Sequence, residues 1–550
     1  MGKTIEFTAA EDYRRGVEGL LQKMTDGRIL PRIWDGDHTV WKPKPDEIAN
    51  RLGWLNVAET MRGEGPRLER LAGSLWKEGY RQALLLGMGG SSLAPQVFRS
   101  TFGAGEEHLD LAVLDSTDPD AVLAHAGAID PARTLFIVAT KSGGTVETLS
   151  FFKYFYRRIS EAIGGDEAGR QFAAVTDPGS TLAELAEQSH FRETFLNDPN
   201  IGGRYSALSF FGLVPAALVG VDLGILLNRA TAMAARCGPD VPAGENPAAW
   251  LGAVLVHLAS VGRDKLTLVL SPPVGSFGDW VEQLIAESTV KEGKGILPVV
   301  GEPLGPPGVY GRDRLFVHLR LAYDETHDDA LAELEKAGHP VIWIDLSDRY
   351  DLGGQFFLWE LATAVAGHLM GINPFDQPDV ESAKVQARRL VAEYREKGHL
   401  PEAESSPMTA AALKDFLSQA AAGDYIALQA YLQPTDQNDR ALAGLRLRLR
   451  DASHLATTVG YGPRFLHSTG QLHKGDAGRG LFVQFVSQNS RDAAIPDRAD
   501  SPDSSVSFAV LKKAQALGDR QALLDGGRRV ITFRLGEDPA GRLNRLTDEL

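Results

Sequence analysis

The feature that most constrains the fold is a series of short apolar segments, each ending in a turn of small residues and followed by a helical pattern. The first half of the chain contains QALLLG, LDLAVL, TLFIV and QFAAVT. These are near-continuous apolar runs rather than alternating ones, as expected for strands buried on both faces. Strand, turn and helix in regular repetition predict a parallel sheet with crossover helices.

The same pattern resumes beyond residues 207–221, an apolar segment that contains Pro215 and is shorter than the ~20 residues of a membrane span. We interpret that segment as a buried helix. DKLTLVL, DRLFVHL and HPVIWIDL then predict a second sheet. In the remainder, AAALKDFLSQAAAGDYIALQAYL is interpreted as helix, and RGLFVQFVS and RRVITFRLG as strands.

The predicted fold class is therefore α/β, with two doubly wound parallel-sheet domains and a C-terminal α/β extension. A polar segment with two prolines, EKGHLPEAESSPMT, marks the last boundary. The predicted units are an N-terminal helical segment, two α/β domains and the extension: 1–60, 61–235, 236–395 and 396–550.

Composition excludes several classes of partner and site. The net charge of −15 argues against nucleic acid and anionic membranes, since both attract basic proteins. A single cysteine, Cys237, excludes an intramolecular disulfide and a cysteine-built metal site. The opening residues have no apolar core of the kind found in secretory signals, so we expect a cytoplasmic location.

GMGGSSLAP, residues 87–95, directly follows a predicted strand, at the sheet edge where α/β folds bind ligands. Its glycines allow a ligand close to the backbone, and the following helix N-terminus offers free N–H groups. The segment lacks the third glycine of a dinucleotide fingerprint and the lysine of a P-loop. A plain strand–helix turn is the alternative interpretation.

TKSGGTVET, residues 140–148, follows another predicted strand and is rich in hydroxyl side chains. Hydroxyls and Lys141 at a helix start suit a phosphate group. Serine and threonine are also ordinary helix N-caps, with Glu147 and Thr148 starting the helix, and this motif alone does not decide between the two. Two such turns in one predicted sheet favour a ligand.

Two further segments carry residues suited to proton transfer. Arg204 follows two glycines in IGGRYS, where an arginine stabilises an oxyanion or pairs structurally with a carboxylate. Gln283 and Glu287 lie four residues apart and hence on one helix face. Partial burial would raise the pKa of Glu287 towards that of a general base, whereas a solvated helical carboxylate is the alternative.

The last candidates lie further along the chain. Lys384 falls on a helix that begins around Asp379, and a surface lysine is the alternative interpretation. His467 and His473 lie six apart in RFLHSTGQLHKG without nearby carboxylates that would complete a metal set. We predict acid–base or hydrogen-bonding roles for them, with ordinary loop histidines as the alternative, and no bound metal.

Taken in order, GMGGSSLAP, TKSGGTVET, IGGRYS, EQLIAEST and NPFDQPDVESAK resemble the glucose-6-phosphate isomerase (phosphoglucose isomerase) family over roughly residues 60–395. DHTVWKP, NRLGWL and HSTGQLHKG resemble most the isomerase half of bifunctional transaldolase/phosphoglucose isomerases. The resemblance implies two sugar-isomerase (SIS) domains. It also implies reversible conversion of glucose 6-phosphate and fructose 6-phosphate through a cis-enediol, as in glycolysis and gluconeogenesis, without a cofactor.

The resemblance assigns a role to each candidate. Glu287 would move the proton between C2 and C1, Arg204 would stabilise the enediolate, and Lys384 would assist ring opening or closure. Gln283 would hold the substrate. The residues implied to bind the sugar phosphate are Gly90, Ser91, Thr140, Lys141, Ser142, Gly143, Gly144, Thr145 and Thr148.

One feature departs from the family pattern. The usual ring-opening histidine, shortly after a GEP motif, is missing from GEPLGPPGVYGRDRLF, and His318 further on lies in a predicted strand, where we interpret it as structural. HSTGQLHKG looks like that segment displaced, so His467 is the expected ring-opening residue, with His473 in reserve. In the typical enzyme this histidine comes from a neighbouring subunit. A homodimer is thus one possible assembly. Association with a separate transaldolase is another possibility that the sequence leaves open.

Two alternative functions stay open. One is a dual phosphoglucose/phosphomannose isomerase, because the sequence does not decide tolerance at C2. The other is a non-catalytic sugar-phosphate sensor, since related domains also serve as regulatory modules. The second is disfavoured because Glu287, Arg204 and Lys384 are all present and no basic helix-turn-helix is seen.

Overall fold

The computed structural model describes residues 5–8, 10–402 and 404–550. Residues 1–4 and 9, part of the opening segment that supports the expected location, lie outside the described residues. The described strands are β1 Ile5–Thr8, β2 Gln82–Gly87, β3 Asp110–Leu114, β4 Thr134–Ala139, β5 Phe172–Thr176, β6 Glu193–Leu196, β7 Lys265–Leu270, β8 Leu297–Val299, β9 Arg314–Leu321, β10 Val341–Leu346, β11 Tyr425–Tyr431, β12 Ala456–Tyr461, β13 Gly480–Ser487, β14 Ala494–Ile495, β15 Val506–Ser507 and β16 Arg529–Gly536.

The described helices alternate with these strands along most of the chain. They are α1 Glu11–Asp26, α2 Ile29–Trp34, α3 Val57–Arg62, α4 Gly65–Lys77, α5 Gly90–Phe102, α6 Pro119–Ala128, α7 Val146–Ile163, α8 Gly165–Ala168, α9 Thr181–Gln188, α10 Phe210–Val219, α11 Leu223–Arg236, α12 Pro247–Ser260, α13 Phe277–Thr289, α14 Asp328–Lys336, α15 Leu352–Met370, α16 Glu381–Lys397, α17 Ala410–Leu417, α18 Asp436–Ser453, α19 Gly470–Gly475, α20 Phe508–Asp525 and α21 Pro539–Glu549.

The first sheet has the order β3-β2-β4-β5-β6, and every pair in it is parallel. β4 and β5 are buried along their whole length, because helices cover both faces of the sheet. The turns after β2 and β4 therefore lie at the same carboxyl edge. This confirms the predicted α/β class.

The second sheet has the order β1-β10-β9-β7-β8. β7, β8, β9 and β10 pair in parallel, whereas β1 joins the edge antiparallel, with Ile5 opposite Ile344. The sequence predicted helix alone for residues 1–60. A four-residue strand has too short a pattern to be recognised, and only its pairing with a distant strand defines it.

The third sheet has the order β12-β11-β13-β16 and is parallel throughout. The prediction that AAALKDFLSQAAAGDYIALQAYL is helical is wrong in its second half, because residues 425–431 form the buried strand β11. The helix ends at Leu417, and Gly423, with a φ of +83°, reverses the chain. A fully buried strand has no alternating pattern that separates it from a buried helix.

The predicted domain boundaries stay predictions, and two helices near them show how the units pack. α10 is almost wholly buried, which confirms the buried helix predicted around Pro215. α16 lies along α20, where a Cβ on Gly518 would come within 2.8 Å of the Ala387 nitrogen. The helix that ends the predicted second domain thus packs on the C-terminal unit, which contains the third sheet and is called the third unit below. Within the described ranges, no helix is both long and apolar enough to cross a membrane.

A buried carboxylate joins the second sheet to the third unit. Glu302, in the GEP motif, accepts a hydrogen bond from Thr457 at 3.1 Å and forms an ion pair with Arg314 on β9 at 3.2 Å. Arg446 and Arg450, one turn apart on α18, lie 4.0 and 3.8 Å from the same carboxylate. All three arginines are buried, and Arg450 also pairs with Asp451 at 2.7 Å, so Glu302 is the carboxylate that Arg314 and Arg446 share between the two units.

We predict that Glu302→Gln lowers the free energy of unfolding by about 3–5 kcal/mol, because it removes the buried negative charge that Arg314 and Arg446 share. Urea and thermal midpoints measure the effect. Glu404→Gln is the matched control, since its carboxylate is 89% exposed where it pairs with Arg520, and it should change stability by less than about 0.5 kcal/mol. Equal midpoints for the two variants would contradict this role for Glu302.

Candidate functional site

Three turns from distant parts of the chain meet at the carboxyl edge of the first sheet. Gly89, after β2, has a φ of +55°, and a Cβ there would lie 2.6 Å from the carbonyl oxygen of His467. A Cβ on Gly90 would lie 2.1 Å from the carbonyl oxygen of Gly203 and 3.0 Å from the nitrogen of Arg204. Only glycine permits both approaches. The GMGGSS turn thus brings the arginine and the histidine segments together.

Helix α13 carries Gln283 and Glu287 into the same place. Both side chains are buried, and Gln283 Nε2 lies 3.4 Å from Glu287 Oε2. Burial raises the pKa of the Glu287 carboxyl above its ordinary value, and the charges of Arg204, Lys384 and His467 oppose this only in part. The raised pKa makes the Glu287 carboxylate a stronger base than an ordinary glutamate, as general base catalysis requires.

Arg204 lies beside Glu287 and is almost completely enclosed. Its Nη1 donates to Glu287 Oε2 at 3.2 Å and to Gln377 Oε1 at 2.8 Å, and its Nε donates to Ser288 Oγ at 2.7 Å. Its Nη2 donates to the carbonyl oxygens of Pro374 at 2.8 Å and Asp376 at 3.0 Å. All five N–H groups are therefore engaged by the protein. The guanidinium provides a fixed positive charge, and a ligand oxygen must displace Glu287 or Gln377 to bond to it directly.

A buried lysine fixes the loop that holds Arg204. Lys291 Nζ donates to the carbonyl oxygens of Asn373 and Asp376 and to Asp376 Oδ1, each at 2.7 Å. Burial lowers the pKa of Lys291 to about 8; the neighbouring Arg204 charge contributes, and Asp376 opposes. The local sequence gives no signal for this lysine, because its acceptors lie more than eighty residues away.

His467 is held by side chains from two of the site's helices, α7 and α13. Gln283 Nε2 donates to the His467 carbonyl oxygen at 2.8 Å, and His467 Nε2 lies 3.0 Å from Glu147 Oε1. Burial alone would raise the pKa of Glu147, but the charges of His467 and Lys384 and the hydrogen bond from His467 lower it overall. The sequence predicts only that Glu147 starts a helix, and its position inside TKSGGTVET is the one local signal of a further role.

Lys384 lies in the first turn of α16 and is half-buried. Its charge opposes the upward shift of the Glu287 pKa and contributes to the lowered pKa of Glu147. Hydrogen bonds connect Arg204, Gln283, Glu287 and His467 directly, and Lys384 acts on the two carboxylates through its charge.

The turn after β4 places its hydroxyls at the N-terminus of α7. Thr140 Oγ1 and Thr145 Oγ1 lie 2.8 Å apart, and Ser142 is exposed. The Thr148 hydroxyl is buried and without a hydrogen-bond partner. Lys141, by contrast, forms an ion pair with Asp177 and donates to the Pro199 carbonyl oxygen at 2.8 Å. Its ammonium is thus held by the neighbouring turns at Asp177 and Pro199, and its predicted contact with the phosphate stays a prediction.

Two other histidines lie apart from this cluster. His473 is buried between Phe465 and Phe482, and burial lowers its pKa well below the ordinary value. His318 is buried in β9, with Nδ1 3.0 Å from the Val269 carbonyl oxygen. Among the residues that the structure describes, no three His, Cys, Asp or Glu side chains are grouped to hold a metal ion.

Comparisons with known proteins identify the family of this chain. The family model described as Phosphoglucose isomerase matches residues 71–259. A protein described as glucose-6-phosphate isomerase from Rubrobacter xylanophilus is 30% identical over 427 residues, which cover 68% of this chain and 95% of that protein. This chain belongs to the glucose-6-phosphate isomerase family. A member from Thermus thermophilus is 27% identical and covers 64% of this chain and 92% of its own.

A solved structure agrees at the level of the fold. The crystal structure of a glucose-6-phosphate isomerase from Chlamydia trachomatis covers 76% of this chain and 92% of its own, with a TM-score of 0.61 and 17% identity. At that identity the likeness concerns the fold alone. The closer resemblance to bifunctional transaldolase/phosphoglucose isomerases stays a prediction.

We predict that Gly90→Ala removes most of the catalytic activity of this family member. The new methyl group would meet the Gly203 carbonyl at 2.1 Å, so the segment carrying Arg204 has to move. Steady-state kinetics on the purified variant measures the loss. Gly73→Ala on α4, where a Cβ meets nothing within 4 Å, is the matched control. Full activity of the Gly90 variant would show that the close approach is dispensable.

We also predict a bell-shaped dependence of kcat/KM on pH. Activity falls as pH decreases through the raised pKa of Glu287, above the ordinary glutamate value of about 4.3, because a protonated carboxyl cannot accept a proton. It falls again as pH rises past about 8, where Lys291 loses the charge that holds the Asp376 loop. Lys291→Arg should move the alkaline limb to higher pH. If the alkaline limb stays at the same pH in a folded Lys291→Arg variant, a group other than Lys291 is responsible for it.

Proposed function

We propose that this chain interconverts glucose 6-phosphate and fructose 6-phosphate by moving a proton between C2 and C1 of the open-chain sugar. The observation that carries the proposal is the pair of buried carboxylates with opposite pKa shifts. Glu287 is shifted upwards and Glu147 downwards. Environments that separate two carboxylates in this way give them different tasks in acid–base chemistry.

Glu287 acts as the base in this proposal. Its carboxylate takes the proton from C2 of the aldose, the C1 carbonyl oxygen gains the negative charge, and a cis-enediolate forms. Return of the proton to C1, with transfer of the O2 proton to O1, leaves a carbonyl at C2 and completes the ketose. A base whose pKa lies near the working pH performs both directions efficiently.

Arg204 stabilises the enediolate through its charge. The guanidinium is 4% exposed and lies 3.2 Å from the base, in surroundings where water screens charge poorly. Because its five N–H groups already have acceptors, the arginine needs little reorganisation when the negative charge develops. A substrate oxygen that displaces Gln377 would accept a hydrogen bond directly from Arg204 Nη1.

His467 opens the ring. An ionised carboxylate only accepts hydrogen bonds, so the nitrogen facing Glu147 carries a proton and Nδ1 is the nitrogen that exchanges one with the sugar. Lys384, whose charge reaches both carboxylates, assists at the ring oxygen. Glu147 stabilises the imidazolium while His467 holds the extra proton.

The phosphate occupies the turn that begins α7. Ser142, Thr145 and Thr148 supply hydroxyls, and the helix N-terminus supplies free N–H groups and a favourable dipole. Because Lys141 is paired with Asp177, the hydroxyls and the backbone carry most of this interaction. We propose a cytoplasmic location, consistent with a role in glycolysis and gluconeogenesis.

A coupled assay tests the proposal. Fructose 6-phosphate is supplied with a chelator present, and glucose 6-phosphate is followed through its NADP-dependent dehydrogenase. The wild-type chain should turn over, and Glu287→Gln should lose activity by about 10²–10⁴-fold, the usual contribution of an acid–base group. Glu292→Gln, an exposed carboxylate paired with Lys42, is the control and should stay active. An inactive wild type, or an active Glu287→Gln variant, would overturn the proposal.

A further inference from the structure

The C-terminal unit contributes a second buried side chain to the Glu147–His467 pair. Gln515, on α20, is 3% exposed, and its Nε2 donates to Glu147 Oε1 at 2.6 Å. Its Oε1 accepts from Thr117 Oγ1 at 2.7 Å, in the turn after β3. The amide thus bridges two turns of the first sheet, and Glu147 Oε1 receives both His467 and Gln515.

The direction of these bonds follows from their partners. A carboxylate accepts only, so the amide must turn its NH₂ group towards Glu147. Its oxygen then faces Thr117, whose hydroxyl donates. Only one orientation of the amide satisfies both neighbours. It holds the Glu147 carboxylate through Oε1, the oxygen that also faces the His467 imidazole.

A buried ion pair fixes the helix that carries Gln515. Lys512, three residues earlier and hence on the same face of α20, donates to Asp118 Oδ2 at 2.9 Å. Asn489 donates to the same oxygen at 3.0 Å. Lys512 and Asp118 are both buried. The helix is therefore anchored to the turn that also contains Thr117, which leaves Gln515 little freedom to move.

We propose that Gln515 is a positioning residue for ring opening. It holds the Glu147 carboxylate so that His467 keeps its proton on Nε2 and exchanges protons with the sugar through Nδ1. The proposal rests on the proposed isomerase function, and it gives the unit that supplies His467 a second role in the reaction. Gln515 acts through Glu147 and His467 and contacts no reacting atom.

Gln515→Met tests the proposal, because methionine is close to glutamine in size and cannot donate. Exchange NMR on glucose 6-phosphate labelled at C1 measures anomer interconversion, which needs ring opening but no base at C2. The variant should lose on the order of tenfold in anomerisation and in kcat, a part of the 10²–10⁴ that acid–base catalysis contributes. The His467→Ala variant shows how much anomerisation is lost when the proposed ring-opening side chain is removed altogether.

A second readout separates positioning from folding. A five-carbon phosphorylated hydroxamate imitates the open-chain enediolate and needs no ring opening. Its calorimetric Kd should stay within about twofold of the wild-type value in Gln515→Met, since about 0.4 kcal/mol corresponds to a factor of two. Gln521→Met is the matched control, an exposed glutamine on the same helix that donates to Asp525.

The outcomes are distinct. Slower anomerisation with unchanged hydroxamate binding supports the proposal. Wild-type anomerisation in the variant, or an equal loss of hydroxamate binding, overturns it while the isomerase function stands. A wild-type chain that neither isomerises nor anomerises overturns the proposed function itself.

Discussion

The Glu302 carboxylate is the contact on which the rest of the structure depends. It lies among Arg314 of the second sheet and Arg446 and Arg450 of the third unit, all of them buried. Without it Arg314 and Arg446 would lose the buried negative charge that they share, so the two units are held in one relative position. That position decides where the segment after β12 lies, and His467 belongs to that segment. A surface ion pair would not impose such a constraint.

The site is consequently a junction of three sheets. The first sheet supplies the glycine turn and the start of α7, the second supplies α13, and the third supplies His467 and Gln515. Gln283 connects the parts, since one amide contacts the Glu287 carboxylate and donates to the His467 carbonyl oxygen. Glu287 and His467, the proposed base and the proposed ring-opening residue, are thereby held at a fixed separation. This is how a site built on distant segments becomes rigid enough for proton transfer.

Much of the fold was predictable because buried parallel strands have a strong local pattern. β2, β4, β5, β7 and β9 all lie in segments predicted as strands, and the order of the motifs correctly indicated α/β units. β1 and β11 were missed for different reasons. β1 is too short to show a pattern and exists through its pairing with β10. β11 is buried on both faces, so its apolar run matches a buried helix equally well.

The features of the candidate site also fall into those that the local sequence indicated and those that it could not indicate. Local sequence indicated Gly90, Gln283 and Glu287, because glycine spacing and helical spacing act over a few residues. It gave no means of predicting that Lys141 is held by Asp177, that Lys291 fixes the Asp376 loop, or that Gln515 reaches Glu147. Those partners are separated by 36, 85 and 368 residues. Hydrogen bonds and ion pairs act over a few ångströms in space, so sequence alone determined which groups the chain possesses, and only the tertiary structure decided which of them meet.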